Sequence, residues 1–255
     1  MFYSTARVST DRPRRQLTHL VSHLGHDAPT DLDEERWSIR FGGGHCLLVA
    51  SATHFDMIVR AGDADAVAAV EDTITQHLLR SATGDERPVD WRPLVRQATS
   101  DDDAALLALD RAAWTAGSGL ASAEGEERTA YFSERRRPET HLVAALGDQI
   151  VGAVSTHRTT PFPEAAHVFG LWNLVVAEQA RRRNIASALL AAAERRAAAE
   201  GAKKVGLRVL ATNTGALRLY ERHGYAVEGR HLDEFLIDGA YVDDISMGKR
   251  LTPLS

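Results

Sequence analysis

Apolar and polar residues alternate with a period of two from Phe2 to Ser9, and the period then lengthens to that of a helix. Between Pro13 and Leu24, the residues Leu17, Leu20, Val21 and Leu24 fall on one helical face. Strand-like patterning returns over 37–41, 45–51 and 55–61, the first two segments joined by Gly42, Gly43 and Gly44. Asp63 stands at an N-cap position, ahead of a helix whose apolar face is Val67, Val70, Ile74 and Leu78. The resulting βαβββα order predicts a small α+β domain, an antiparallel sheet with its helices on one face. The polar Gly/Pro stretch 82–88 interrupts the pattern and marks a boundary, giving one domain over 1–85 and a larger one over 93–251.

The larger segment opens with a strand at 94–98. Ser100 is placed to cap a helix reaching about Trp114, with Asp101, Asp102 and Asp103 at the positive end of its dipole. A polar stretch over 117–137 is expected to hold a short helix near 126–134. Strands at 141–146 and 149–157 form a hairpin across Gly147 and Asp148, and a strand at 167–176 ends in the apolar run Leu174, Val175, Val176. A basic turn follows, Gln179-Ala180-Arg181-Arg182-Arg183-Asn184-Ile185-Ala186. It leads into an Ala-rich helix over 185–200, with Ile185, Leu189, Leu190 and Ala193 in a stripe and Gly201 as a left-handed stop. A strand over 204–210, a short helix capped by Asn213 and closed by Gly224, and a return to strand at Tyr225, Ala226 and Val227 complete the pattern.

Composition adds mainly exclusions. A length of 255 residues suits two domains, and 44% hydrophobic with 25% charged residues is the balance of a soluble protein. No apolar run approaches a membrane span, and the first twenty residues are polar and Arg-rich, without the apolar core of a signal peptide. The lone cysteine, Cys46, excludes an intramolecular disulfide and fits a reducing, cytoplasmic location. A pI near 6.1 lacks the basic footprint of a general nucleic-acid binder. Against a net charge of −5, the run Arg181, Arg182, Arg183 reverses the local field. It opens a helix whose first N–H groups lack intrahelical acceptors, so it is either a polyanion site or a solvated surface.

Taken together, the motifs from 174 to 230 resemble the GNAT superfamily of N-acetyltransferases. Arg181-Arg182-Arg183-Asn184-Ile185-Ala186 is similar to that family's pyrophosphate loop, Q/R-x-x-G-x-G/A. Asn213-Thr214-Gly215-Ala216-Leu217-Arg218-Leu219-Tyr220-Glu221-Arg222-His223-Gly224-Tyr225 is similar to its second motif. The likeness continues through Glu228-Gly229-Arg230 and Ile237-Asp238-Gly239 to Met247 and covers about 93–251. It implies an α/β (α+β) fold, a GNAT-type mixed twisted sheet flanked by helices, that splays after the strand at 167–176. Acetyl-CoA, the co-substrate, would lie in the resulting cleft and the acceptor would enter from the opposite side. Carried over position by position, the cofactor contacts are Leu174, Val175, Val176, Arg181, Arg182, Arg183, Asn184, Ile185, Ala186, Asn213, Ala216 and Tyr220. Asn184 departs from the family's glycine, but asparagine is the side chain that best tolerates left-handed φ.

Acetyl transfer from a thioester to an amine needs a neutral amine, a donor for the carbonyl oxygen and a proton for the departing thiolate. The resemblance gives the acid role to Tyr220, whose alternative is a packed core tyrosine. It gives carbonyl polarisation to the backbone N–H of Val175 or Val176. Asn213 contacts the pantetheine arm, caps its helix, or does both. The carboxylate that many relatives carry before the phosphate loop is missing from 167–173. His167 is the first substitute because histidine titrates near neutral pH, with Glu164, Asp243, Asp244 and a water on Asn173 also open. Glu124, Glu126 and Glu127 would welcome a cationic acceptor and Arg135, Arg136 and Arg137 an anionic one; either run is otherwise a solvated face.

The smaller domain resembles a bacterial family of no assigned function through Arg15, His23-Leu24-Gly25-His26 and Gly44-His45-Cys46-Leu47. Its glycine triplet reads as a hairpin turn before a phosphate cradle. His19, His23 and His26 form a stripe away from the leucine face, but their spacing matches no strong metal motif and no metal is expected. The reading is an acetyl-CoA-dependent N-acetyltransferase acting on a primary amine of a small molecule, with no nucleic-acid or membrane partner. A homodimer is compatible with it. Acetylation of a protein or peptide amine, and a non-catalytic CoA sensor with an N-terminal ligand-binding module, are the alternatives.

Overall fold

The computed structural model describes residues 1–24, 30–33, 35–81, 89–113 and 128–251. It forms two compact units, one of Met1–Arg96 with Ala145–Gln149 and the other of the remaining described residues. No helix among the described residues is long and apolar enough to cross a membrane.

The first unit runs β1 (Phe2–Ser9), α1 (Pro13–Leu24), β2 (Thr30–Asp33), β3 (Arg36–Phe41), β4 (Gly44–Ala50), β5 (His54–Ala61), α2 (Ala64–Ser81) and β6 (Arg92–Pro93). Its sheet has the order β2-β3-β4-β5-β1-β6 and is antiparallel throughout. The structure adds β2, where Thr30 and Asp31 pair with Ser38 and Trp37; a segment with Leu32 as its one strong apolar residue carries no alternation to announce it. Alternation sends Phe55, Met57, Val59 and Ala61 of β5 and Cys46, Leu48 and Ala50 of β4 to one side. There Leu17, Leu20 and Val21 of α1 and Val67, Val70 and Ile74 of α2 close the core. The Asp63 carboxylate caps α2, accepting from the Ala66 N–H at 2.8 Å.

The glycine triplet is the β3–β4 turn, with Phe41 and Gly44 paired across it. Its strictest demand falls on Gly44, where a Cβ would stand 2.9 Å from the Arg60 carbonyl oxygen. His19 and His23 meet on the exposed side of α1 with their Nε2 atoms 3.1 Å apart, while His26 lies outside the described residues. No group of three or more metal-ligating side chains occurs among the described residues. Cys46 is fully buried, and burial pushes its thiol up to about 12, which makes it inert packing.

The chain continues with β7 (Val95–Gln97), α3 (Asp103–Ala113), β8 (His141–Leu146), β9 (Gln149–Arg158), β10 (Val168–Val176) and α4 (Ile185–Ala199), then β11 (Lys204–Leu210), α5 (Thr214–Arg222), β12 (Ala226–Ile237) and β13 (Ala240–Arg250), whose strands form a second sheet. That sheet has the order β12-β13-β11-β10-β9-β8-β7, with β10 and β11 parallel and β9, β12 and β13 antiparallel to their neighbours on that side. A 3-10 turn, Ser100–Asp102, precedes α3, so the cap falls at Thr99 and not at Ser100. The Asp102 carboxylate reaches back to the Thr99 N–H at 2.8 Å. Gly201 and Gly224 end α4 and α5 at φ 92° and 84°, conformations that favour glycine.

The short helix expected near 126–134 does not form over its described part. Asp103 explains why: its Oδ1 accepts from the N–H groups of Tyr131 at 3.1 Å and Phe132 at 2.8 Å. Those groups are held by a side chain rather than by the preceding helical turn. The anchoring buries Tyr131 among Leu106, Leu107, Leu109 and Val143.

Helix α4 packs closely on the sheet at Gly152, where a Cβ would lie 2.9 Å from the Val175 carbonyl oxygen and 3.1 Å from a methyl of Ile185. Because one of those neighbours is backbone, Gly152→Ala should destabilise the chain by about 1–3 kcal/mol. Urea denaturation measures this, and an unchanged midpoint would refute the close approach.

Candidate active site

Strands β10 and β11 pair only over Val168, Phe169 and Gly170, opposite Lys204, Val205 and Gly206. Past that point they part. On its other edge β10 shifts register against β9 between Trp172 and Val175, and within this bulge Asn173 takes a left-handed φ of 51°. A cleft of about 390 Å³ opens where the strands diverge. Its walls include Leu171 to Leu174 of β10, Arg208 to Leu210 of β11, Leu190 of α4, and Asn213, Ala216 and Tyr220 around α5. A second hollow, walled by Arg128 to Tyr131, His141, Ser155 and His157, shares Arg128, Arg136, Trp172 and Asn173 with the first.

The basic turn opens α4, the helix whose Leu190 lines the cleft. Arg182 and Asn184 both stand at φ 62°, either side of Arg183, and Asn184 leads directly into α4. The asparagine thus adopts the left-handed conformation its side chain tolerates. Arg181 and Arg182 are exposed, while Arg183, Asn184 and Ala186 are half-buried. Ile185 is buried against Gly152, so only its backbone can face a ligand there. Val175 and Val176 pair with Ala153 and Gly152 and lie outside the cleft lining. The Ser187 hydroxyl and His223 Nε2, 3.0 Å apart, tie α4 to α5.

Leu174, Asn213, Ala216 and Tyr220 are brought to one cleft. Asn213 caps α5, its Oδ1 accepting from the Ala216 N–H at 3.1 Å. Tyr220 is buried, with its ring 5.8 Å from that of Tyr225. Burial pushes its phenol up to about 12, further from an alkyl thiol than an exposed tyrosine would be.

His167 is not brought to the cleft. It is exposed in the turn before β10, at the end where Val168 pairs with Lys204, and its carbonyl accepts from the N–H groups of Lys203 and Lys204. Trp172, which does line the cleft, is five residues along the strand, about 16 Å at the usual rise. Glu164 is exposed and outside the lining, and Asp243 is engaged by Arg230 at 2.5 Å and by the Asp233 N–H at 2.8 Å. Glu124, Glu126 and Glu127 lie outside the described residues.

Several lining groups carry no motif in the sequence. Asp110 of α3 is buried and ion-paired with Arg128, and Asp244 of β13 is buried and ion-paired with Arg208. Arg208 also holds Glu234 at 2.7 Å. Trp172 lies over Gly170, where a Cβ would meet its indole at 2.5 Å, and stacks on His157 at 5.8 Å and 9°. Partial burial of His157 lowers its pKa below the ordinary imidazole value, so the ring is neutral at neutral pH. His141 is lowered too, chiefly by burial; its Nδ1 lies 2.8 Å from the Arg137 carbonyl, which calls for an N–H there. His157 stands opposite Gly170, two residues before Trp172, so the β9–β10 register places it beside the lining positions of β10.

Residues 5–92 match the family model described as "Uncharacterized protein conserved in bacteria (DUF2218)", and residues 104–225 match that of the acetyltransferase (GNAT) family. No curated protein matches the chain. Among solved structures, the ribosomal-protein-alanine N-acetyltransferase of Brucella melitensis is 27% identical, with a TM-score of 0.51 over 62% of this chain and 99% of its own. A GCN5-related N-acetyltransferase from Kribbella flavida is 25% identical, with a TM-score of 0.50 over 62% and 96%. The protein smu.2055 of Streptococcus mutans UA159, 24% identical with a TM-score of 0.53 over 62% and 99%, shares the fold.

The buried Asp110–Arg128 pair gives a test of the site's wall. Asp110→Ala leaves a mostly covered guanidinium without its carboxylate and should cost about 3–5 kcal/mol in urea denaturation. Glu234→Ala, on the exposed side of Arg208, should cost far less; equal losses would contradict the difference in burial.

Proposed function

The chain carries a DUF2218 domain followed by a GNAT N-acetyltransferase domain, and from that premise we propose that it transfers the acetyl group of acetyl-CoA to a primary amine of a small molecule. The parting of β10 from β11 carries the reading, because it opens a cleft lined by Tyr220, Asn213 and a backbone bulge, with Leu190 of the helix that the basic turn begins in its wall. The residues present fit the co-substrate. Two left-handed residues opening α4 form a concavity of backbone N–H groups with exposed Arg181 and Arg182 beside it, suited to a pyrophosphate. Acetyl-CoA supplies the thioester whose acetyl group is transferred.

The chain's own groups then have three tasks. A backbone N–H of β10, that of Val175 or Val176 where pairing with β9 resumes past the bulge, donates to the carbonyl oxygen as negative charge develops. Neutral His157 takes the proton that the attacking amine loses, since Asp110 and Asp244 are held by arginines and His167 is remote. Tyr220, protonated throughout the physiological range, gives a hydrogen bond and then its proton to the departing sulfur. Across these steps one proton leaves the amine and one reaches the thiol, so the sum is amide plus thiol. Acceptance of a small molecule rather than a protein is supported by a hollow with side walls from Arg128, His141 and His157. The deciding experiment is thiol release from acetyl-CoA across a panel of small amines and peptides. Release with peptides alone would reverse the choice, and release with none would leave a CoA-binding sensor.

Acetyl-CoA should raise the melting temperature of the full chain. Arg181→Glu with Arg182→Glu, both exposed, should abolish that rise while the ligand-free melting temperature holds; an undiminished rise would remove the phosphate-loop assignment.

Tyr220→Phe should lower kcat by about 10²-fold with the acetyl-CoA shift intact. Because the folded pKa lies at about 12, wild-type kcat should show no alkaline loss from tyrosine ionisation below about pH 11. The acidic limb of kcat/KM should instead report His157 below 6.5 and change in His157→Gln. A limb identical in that variant would exclude the imidazole as base.

A further inference from the structure

The shared wall of the two hollows holds a cation whose hydrogen-bonding capacity the protein leaves unfilled. The Arg128 side chain is 18% exposed, and its Nη2 is bonded to Asp110. Its Nε and Nη1 are buried and have no hydrogen-bond partner among the described residues. A covered, charged donor without an acceptor is costly, and folded proteins rarely keep two on one guanidinium. Arg136 lines both hollows as well, its guanidinium 5.0 Å above the Tyr131 ring and with no carboxylate partner among the described residues. Of the cations on the shared wall, Arg128 is neutralised by the buried Asp110 and Arg136 by no carboxylate among the described residues, while Arg135 adds a further guanidinium to the second hollow. The shared wall therefore carries one guanidinium, Arg136, in excess of its carboxylates among the described residues, and covered Arg128 N–H donors without an acceptor, beside the bulge at Asn173.

We propose that the acceptor is an amine that also bears a carboxylate, an amino-acid-like small molecule, with that carboxylate received by Arg128 and Arg136. The inference rests on the acetyltransferase reading and narrows its substrate class. Guanidinium is suited to the role because it stays charged at every physiological pH and offers several donors to one carboxylate. Anchoring the carboxylate on that wall holds the amine of the same molecule in the hollow beside the bulge, where neutral His157 also stands. The exposed, stacked indole of Trp172 offers a flat apolar surface to whatever side chain the acceptor carries.

The test uses the full-length chain and a panel of free amino acids, each set against its own α-amide. The amide keeps the side chain and removes the negative charge. Its amine is also the less basic of the two and more often neutral, so a preference for the acid runs against intrinsic reactivity. The expected result is a kcat/KM for the best acid at least about 10-fold above that for its amide. In Arg128→Lys, which keeps a charge for Asp110, and in Arg136→Gln, that ratio should fall toward one; the acetyl-CoA melting shift in each serves as the folding control. Amides or simple amines served as well as acids by the wild type would overturn the proposal while leaving the acetyltransferase reading standing. So would an acid preference unchanged in both variants. Should no amine release thiol, the enzymatic reading fails instead, and the carboxylate site is judged by binding. It then requires that the acid, and not the amide, raise the melting temperature in an Arg128-dependent way, and the lack of such a rise refutes it.

Discussion

The second domain depends on how briefly β10 and β11 stay together. A parallel pair of three residues cannot continue once the bulge at Asn173 turns β10 toward β9, and the freed edges become walls. Irregular backbone of this kind leaves polar main-chain groups that a regular ladder would have paired, so it persists where a ligand can use them. The same divergence gives α4 and α5 their stations. Gly152 lets α4 rest against the β9–β10 edge of the sheet, and α5 follows β11 with its Asn213 cap at the mouth of the cleft.

Charge in the cleft follows a simple economy of burial. Two aspartates are almost wholly covered, and a carboxylate in that position is retained only beside a cation. Arg128 and Arg208 serve that end, which removes both aspartates from service as free bases. In the proposed reaction proton acceptance shifts to imidazole, the group whose proton-accepting form is the neutral one that burial favours. A chain with no carboxylate in the strand before its phosphate loop thus has a consistent alternative in a stacked histidine on the neighbouring strand.

What could be read from the sequence was local. Asn184, Gly201, Asn213 and Gly224 act within a turn of their own position, and each stands at the helix boundary that its side chain, or lack of one, predicts. Leu174, Asn213, Ala216 and Tyr220 share a cleft, as the family likeness implies. The groups that were missed are non-local. Asp110 and Arg128 meet across 18 residues, and Asp103 captures the backbone of Tyr131 and Phe132, cancelling the helix that composition suggests there. His167 shows the reverse case, a candidate base that lies outside the cleft lining. Titration near neutral pH is a property of the residue, but the reach of a strand is a property of its length, and four residues of β10 separate it from Trp172 at the cleft.

As the proposed acid, Tyr220 faces two opposing demands. Burial secures its position beside Leu210 and Asn213 and raises its phenol to about 12. A departing alkyl thiolate has a pKa near 8.5, so full transfer from the resting tyrosine is uphill by about 5 kcal/mol. Two features of the reaction reduce that difference. Attack places positive charge on the amine nitrogen, and a cation in a cleft of low dielectric lowers the pKa of a nearby phenol. Bond breaking also puts negative charge on sulfur beside the hydroxyl, so the proton moves as the acceptor gains basicity rather than before it. The tyrosine is therefore suited to act late, as a hydrogen-bond donor that yields its proton when the carbon–sulfur bond has largely broken. Its buried setting, which makes it a poor acid at rest, keeps the proton in place until then.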